Sequence, residues 1–364
     1  MRKHVMTTAA IAALALLSVS GCSSRSTDST AGSTAAGFAK DSVIGVALPS
    51  KTSENWVLAG GLFKDGLKAA GFKSDVQYAG ASAAVKDQQD QISAMVTNGA
   101  KVIIIGAADG GQLSTQVKAA KDAGATVIAY DRLILNTPAV DNYVAYDNFK
   151  VGQLQGKALL EGLKAKKPNG PYNIELLSGS SDDANSKVFF DGAMDVLKPK
   201  IADGTLVVAS GQTNIKQTST AGWKAENAQS RMDSLLTGTY STKTLDGVLS
   251  PNDTLARAVI TSVKSAGKPI PVVTGQDSEA ESVKSIMAGE QYSTINKDTR
   301  LLVKQAIAMV SDLQAGKKVP VNDTKSYNNG VKIVPAFLLP PVIVTKANAA
   351  EAYANDPKLS LLTK

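Results

Sequence analysis

From Ser42 onward the chain alternates short β-branched apolar runs with longer stretches whose apolar residues recur every three or four positions. VIGVAL, DVQYAG, KVIIIG and TVIAYD are the runs, and WVLAGGLFKDGLKAAGF, DQQDQISAMVTNGA and LSTQVKAAKDAGA lie between them. A short continuous apolar run reads as a strand buried on both faces, and the 3.6-residue recurrence as an amphipathic helix. Three of the helices stop at Gly71, Gly99 and Gly124, where the residue ending a helix takes up left-handed backbone. The pattern predicts βαβ units, hence an α/β fold with parallel sheets covered by helices on both sides.

The rhythm then starts again. NIELLSG, a helix through KVFFDGAMDVLKP, LVVASG, a helix from Trp223 to Leu236, DGVLS, DTLARAVITSVKSAG, PVVTGQD and SVKSIMAGE form a second doubly wound unit. A late helix, TRLLVKQAIAMVSDLQAG, precedes GVKIVPAFLLPPVIVT, whose prolines suit edge strands or crossover segments and not a central strand. A chain of 364 residues with 43% hydrophobic content is long enough for two such units.

Ahead of this body the pattern changes. MRKHVMTTAAIAALALLSVSGC has a basic start, an apolar run from Ala9 to Leu17 and a small-residue exit, the form of a secretory signal. The run is too short to span a bilayer, which takes about 20 apolar residues. The exit Val19-Ser20-Gly21-Cys22 resembles a bacterial lipobox, and Cys22 is the chain's single cysteine. It therefore reads as a lipidation site that anchors the protein in the cell envelope, outside the cytoplasm. The small polar residues that follow, within 23–40, read as a flexible tether. The net charge is +7, and Arg2 and Lys3 fall in the signal. What remains is a mild excess of lysines scattered among acids with no aromatic-interleaved basic stripe, which argues against nucleic-acid binding.

In open parallel sheets ligands bind beyond the carboxyl ends of the strands. Here those positions are unusually polar. Trp56 follows VIGVALPSK, Asp131 and Arg132 follow TVIAY, and Asp147 and Asn148 follow YVAY. In the second unit Asp182, Asp183 and Asn185 follow IELLSGS, Asn252 and Asp253 follow GVLSP, Gln276 and Asp277 follow VVTG, and Asn296, Lys297 and Asp298 follow YSTI. Asp and Asn are favoured helix caps, and capping is the expectation for Asp253 and Asp298. The set as a whole mixes carboxylates, amides, Arg and Lys, which suits a ligand covered in hydroxyls. The two tryptophans, Trp56 and Trp223, open one helix in each unit, and their flat faces match the C–H faces of a pyranose.

With AYDR, DNF, GSSDDAN, GW, SPND, GQD and INK in matching order over about residues 42 to 345, the chain resembles the periplasmic pentose- and hexose-binding proteins of bacterial ABC sugar importers, above all the xylose-binding and multiple-sugar-binding members. The resemblance implies a type I periplasmic binding protein fold of two doubly wound lobes joined by a three-segment hinge. It places the first lobe at 41–146 plus 297–326 and the second at 147–296 plus 327–364, with crossovers near Asp147, Ile295 to Lys297 and Asn328 to Pro335. It implies stacking by Trp56 and Trp223, and hydrogen bonds to the sugar from Asp131, Arg132, Asn185, Asn252, Asp277 and Lys297. Asp131 and Arg132, side by side, are expected to neutralise one another. Relatives often carry Arg before the first tryptophan, whereas Asn55 stands here and cannot make the same bidentate contacts. Glu54 and Lys51 are the residues that would compensate.

The implied function is capture of a monosaccharide, an aldopyranose such as xylose, glucose, galactose or arabinose with xylose and glucose foremost, by a monomer that delivers it to an ABC transporter permease. A sugar- or polyol-sensing receptor lobe for a membrane signalling partner shares the same pocket logic. A sugar-responsive repressor would carry a helix-turn-helix where this chain has a signal. No nucleophile elbow, P-loop or zinc-spaced cluster appears, so no catalytic residue, cofactor or metal is assigned.

Overall fold

The computed structural model describes residues 37–364 apart from residue 52. The leader, Cys22 and residues 23–36 of the expected tether lie outside the described residues. The last residues of that expected tether are already part of the body. Phe38 stacks at a tilt on Phe72, with centroids 6.2 Å apart, and its carbonyl accepts from the Gln314 side chain at 3.1 Å.

The elements run β1 (Val43–Leu48), α1 (Glu54–Ala69), β2 (Lys73–Tyr78), α2 (Ala84–Thr97), β3 (Val102–Ile105), α3 (Ser114–Asp122), β4 (Thr126–Tyr130) and β5 (Asn142–Tyr146). There follow α4 (Asn148–Lys166), β6 (Tyr172–Leu176), α5 (Ala184–Ala202), β7 (Leu206–Val208), α6 (Ile215–Thr218), α7 (Ala225–Thr237), β8 (Gly247–Leu249), α8 (Asp253–Ser265), β9 (Val272–Val273), α9 (Ala280–Met287) and β10 (Ser293–Asn296). The chain closes with α10 (Thr299–Gln314), β11 (Ala336–Leu339), β12 (Val342–Thr345) and α11 (Ala349–Ala352). Among the described residues no helix is long and apolar enough to cross a membrane.

The three glycine stops behave as expected. Gly71, Gly99 and Gly124 have φ of 88°, 74° and 82°. After α1, the Gly71 N–H donates to the Lys68 carbonyl and the Phe72 N–H to the Leu67 carbonyl, both at 3.0 Å. This paired closure satisfies the last carbonyls of the helix and turns the chain straight into β2.

Six strands in the order β11-β5-β4-β3-β1-β2 form one all-parallel sheet, and β7-β6-β8-β9 form a second. Both are covered on two sides, because successive side chains of a strand point to opposite faces. Ile44, Val46 and Leu48 of β1 pack with Phe63 and Leu67 of α1 and with Leu302 and Met309 of α10. Ala47, between them, faces Ile92 and Met95 of α2 and Val117 of α3. In the second sheet Ile174 and Leu176 meet Leu159 of α4 and Leu197 of α5, while Val248 and Val273 meet Met232 of α7 and Val259 of α8. Two-stranded β10-β12 lies against the second sheet, with Tyr292 donating to the Val273 carbonyl and Asp277 to the Ile295 carbonyl, each at 2.9 Å.

Two expectations need correction. β11, expected in the second lobe, pairs in parallel with β5 as the edge strand of the first sheet, so the last crossing falls after Leu339, at Pro340-Pro341, and not at 328–335. Proline lacks the N–H that a strand ladder needs, so the pair separates β11 from β12. The helix expected from Trp223 begins instead at Ala225. Gly222 and Trp223 both have left-handed φ, 64° and 56°, which an α-helix cannot contain.

Candidate functional site

A cavity of about 610 Å³ lies where the carboxyl ends of the two sheets meet, within the size range of small-molecule sites. Trp56, Asn55, Asp131, Arg132, Asn185, Trp223, Asn252, Asp277 and Lys297, the nine site residues expected from the sequence, all line it.

On the first sheet, β4 ends in a turn that aims Asp131. The Arg132 N–H donates to the Tyr130 carbonyl at 2.6 Å across Asp131, whose φ is 61°. A three-residue turn of this hand is rare and strained for a non-glycine residue. It also separates the two side chains, so Asp131 and Arg132 form no direct ion pair, and Arg132 acts on the Asp131 carboxyl only through space. Arg132 Nε instead pairs with Asp183 at 3.0 Å, and its terminal nitrogen donates to the Ala107 and Ala108 carbonyls at 3.2 and 3.4 Å. The guanidinium carbon lies 5.6 Å from the Trp56 ring centroid, within cation–π range. Trp56 is buried edge-on against Tyr130, with centroids 6.2 Å apart.

On the second sheet, Asp183 caps α5 by accepting from the Asn185 N–H at 2.9 Å while also pairing with Arg132. The Asn185 amide donates to the Asp131 carbonyl at 2.9 Å, and its oxygen lies 3.2 Å from the Tyr143 hydroxyl. Asn252 caps α8 by accepting from the Leu255 N–H at 3.0 Å, which leaves its amide nitrogen as what it can offer the cavity. Lys297 pairs with Asp277 at 3.0 Å and lies 5.4 Å from the Phe189 centroid. Trp223 sits in the single turn before α7, and its indole nitrogen is buried without a partner.

The charges are coupled. Burial pushes the Asp131 carboxyl up, Lys297 pulls it down, Asp183 raises it and Arg132 lowers it, and the balance stays above the usual carboxylate range. Burial works against the charge of Lys297, yet Asp277, Asp131 and Asp183 together hold its pKa above the ordinary value. Asp131, Asp183 and Asp277 thus stand with Arg132 and Lys297 around one space and present both acceptors and donors. Among the described residues no group of His, Cys, Asp or Glu forms a metal site.

Capping holds for Asp298, which accepts from the Arg300 N–H at 2.9 Å, and fails for Asp253. Asn252 takes the cap, and Asp253 is fully buried, accepting from Gln291 at 2.8 Å and from the Glu279 N–H and the Thr294 hydroxyl at 2.9 Å each. Asp147 caps α4 and lies outside the cavity, as do the two expected compensators of Asn55. Glu54 pairs with Lys358 at 2.7 Å, and Lys51 stands 4.8 Å over the Tyr78 ring. The sequence reading missed Tyr130, Phe189, Thr254 and Glu279, which also line the cavity. Tyr130 and Phe189 continue apolar patterns and look like core. Glu279 had a visible signal in its place two residues past Asp277; its carboxylate accepts from Thr254 at 2.9 Å and from Arg257 at 2.5 Å.

Two helix-covered parallel sheets meeting at their carboxyl ends around a polar, aromatic-walled cavity define a two-lobed ligand-binding protein of the type I periplasmic binding fold. The chain belongs to the periplasmic binding protein family, whose domain matches residues 44–318. It is 49% identical over 317 residues to a multiple sugar-binding periplasmic receptor of Rhizobium radiobacter, covering 85% of this chain and 89% of that protein. It is 35% identical to the D-xylose-binding periplasmic protein of Escherichia coli, over 88% of this chain and 92% of that one. An ABC transporter solute-binding protein from Clostridium phytofermentans, solved with bound β-D-glucose, superposes with a TM-score of 0.84 at 41% identity, covering 88% of this chain and 100% of that one. The family is one of binding proteins and not of enzymes, so the carboxylates and Lys297 are not assigned acid–base chemistry.

Proposed function

We propose that this protein captures a monosaccharide in its pyranose form, xylose or glucose foremost, and delivers it to the permease of an ABC transporter from a lipid anchor at Cys22. The observation that carries the reading is the cavity itself. Trp56 reaches it from the first helix after β1, and Trp223 from the turn after β7, while Asp131, Arg132, Asn252, Asp277 and Lys297 ring the same space. Aromatic faces suit the apolar faces of a sugar ring, and the mixed polar ring suits its hydroxyls. Relatives that bind several sugars, xylose or glucose support the same class of ligand.

The division into lobes is part of the proposal. The first lobe comprises the six-stranded sheet with α1–α3 and α10, the second the four-stranded sheet with α4, α5 and α7–α9. The chain crosses at Asp147, Lys297 and Pro340-Pro341. Closure about these crossings would bring the two halves of the cavity onto the ligand.

The test is a thermal-shift screen of the purified protein against xylose, glucose, galactose, arabinose, ribose and several polyols. A ligand bound only by the native state raises the melting temperature, and saturation at about 100 times Kd adds about 2.7 kcal/mol. A selective rise with one or a few aldopyranoses is expected. No rise with any sugar, in a protein that melts cooperatively, would overturn the assignment.

A further inference from the structure

The charges around the cavity do not balance. Three cations each have a carboxylate of their own. Arg132 Nε lies 3.0 Å from Asp183, Lys297 lies 3.0 Å from Asp277, and Arg257, just outside the lining, lies 2.5 Å from Glu279. Asp131 is the carboxylate left over. The Tyr143 hydroxyl and the Asn185 amide both donate to its main-chain carbonyl, at 2.6 and 2.9 Å, and among the described residues no donor or cation is paired with its carboxylate. Lys297 and Arg132 act on it only through space, and they do not offset its burial, which keeps its pKa above the usual range. The exposed lining charges, Lys224 against Asp182 and Glu226, add to the excess of acids.

Helix N-termini, which attract anions, also point toward the carboxyl ends of parallel sheets. Here the chain closes them itself. Ser53 caps α1, Asp183 caps α5, Asn252 caps α8 and Asp298 caps α10, each through a side-chain oxygen that accepts from a main-chain N–H of the first turn. Two of these four caps are themselves carboxylates. Apart from the exposed Lys224, an anion entering the cavity therefore meets, among the described residues, neither an unmatched cation nor an open helix end.

We propose that the cleft sorts sugars by charge: it takes neutral sugars and amino sugars whose ammonium faces Asp131, and it excludes uronates and other anionic sugars. The inference rests on the monosaccharide reading and narrows it. A hydroxyl can donate one hydrogen to Asp131, whereas an ammonium donates as well and brings the positive charge that this carboxylate lacks. A uronate adds a second unmatched anion to a buried space, and like charges brought together this way act against the wrong ligand.

The experiment is titration calorimetry of the full chain with sugars that differ in charge and little in shape. Glucose is compared with the amines that replace its hydroxyls one at a time, and glucuronamide with glucuronate; the galactose series is run in the same way. At least one amine is expected to bind as tightly as its hydroxyl parent or more tightly, and each uronate at least about tenfold more weakly than its uronamide, as one like charge within the site implies. Where the protein binds pentoses alone, or tolerates no substituent at carbon 6, the amine series decides, with amino-deoxy xyloses set against xylose. Asp131→Asn keeps a residue that tolerates the left-handed backbone at this position and removes the surplus charge. It is expected to narrow both differences; the ligand series on the parent protein stands even if the variant does not fold. Equal binding of uronate and uronamide, or amines that all bind more weakly than their hydroxyl parents, would overturn the charge selection and leave the sugar reading intact. Differences unchanged in a folded Asp131→Asn would overturn the role of Asp131. A parent protein that binds no sugar, neutral or charged, would overturn both readings.

Discussion

At the scale of the residue, Asp253 shows how position overrides type. By sequence it is an aspartate at a helix start; in the structure a neighbour caps the helix, and the carboxylate is buried behind the site. Burial pushes its pKa well above the usual range, and the anionic neighbours Glu279 and Asp277 push it the same way, against hydrogen bonds from Gln291 and the Glu279 N–H. A carboxyl whose folded pKa is raised costs nothing while both states are protonated, below the ordinary pKa near 4. As pH rises from there to the folded pKa, the unfolded chain ionises first and stability falls, by up to about 1.4 kcal/mol per pH unit. Above the folded pKa the cost is constant. Asp253→Asn removes this titration, and the Gln291 oxygen, buried without a partner, can accept from the new amide once the Gln291 side chain rotates. The stability of the variant relative to the parent, from urea titrations at a series of pH values, is therefore expected to rise from pH 4 toward neutrality. A flat difference would show that Asp253 titrates normally.

At the scale of the element, each tryptophan rests on a glycine just past a strand. A Cβ at Gly106, after β3, would lie 2.9 Å from the Trp56 ring, and one at Gly179, after β6, would lie 2.1 Å from the Trp223 ring and 2.5 Å from the Ser186 hydroxyl. Neither glycine has a positive φ, so alanine there is a question of space alone. Gly179→Ala is expected to displace Trp223, at about 1 to 3 kcal/mol in stability as for other overpacked sites, and to weaken ligand binding. Gly106→Ala should do less, and tryptophan fluorescence of the Trp56→Phe background would report the Trp223 shift directly. Retained fluorescence and affinity in Gly179→Ala would mean that the ring has room to move.

The same scale separates what could be read in advance from what could not. The glycine-stopped helices of the first unit were legible because Schellman-type closure is local, settled within six residues of chain. β11 was not assignable to a sheet, since AFLL between prolines pairs equally well in principle with either unit; its partner β5 lies about 190 residues earlier. The separation of Asp131 from Arg132 was hidden for a related reason. Adjacent charges in sequence look like a pair, and only the structure shows that, past the strained turn at φ 61°, Arg132 pairs with Asp183 instead.

At the scale of the whole molecule, three crossings of the chain link the proposed lobes, and the ion pair Arg132–Asp183 and the amides of Asn55 and Asn185, which donate to the Asp277 and Asp131 carbonyls, join them at the cleft. Closure on a ligand is then a rotation of two rigid bodies and not a remodelling of either core. Small-angle scattering should show a radius of gyration near 20 Å, about what a folded chain of this length has, and a decrease on the order of 1 Å at saturating sugar. Tight binding with no compaction would mean that the cleft is already fully shut when empty, or that no hinge motion accompanies binding.

The sequence by itself determined the alternation of strands and helices, the two doubly wound units, and the polar strand ends from which most of the expected site residues come. These depend on local periodicity, on helix-stop chemistry and on the fixed relation between a parallel strand and its carboxyl end. The tertiary structure alone decided which charge meets which, that Asp253 is buried while Asn252 caps, that β11 belongs to the first sheet, and that Asn55 and Asn185 reach across the cleft in the same way. Those outcomes depend on groups 20 to 222 residues apart coming within hydrogen-bond or ladder distance, and pairing at that range is set by how the strands and sheets are placed in space, which no local pattern encodes.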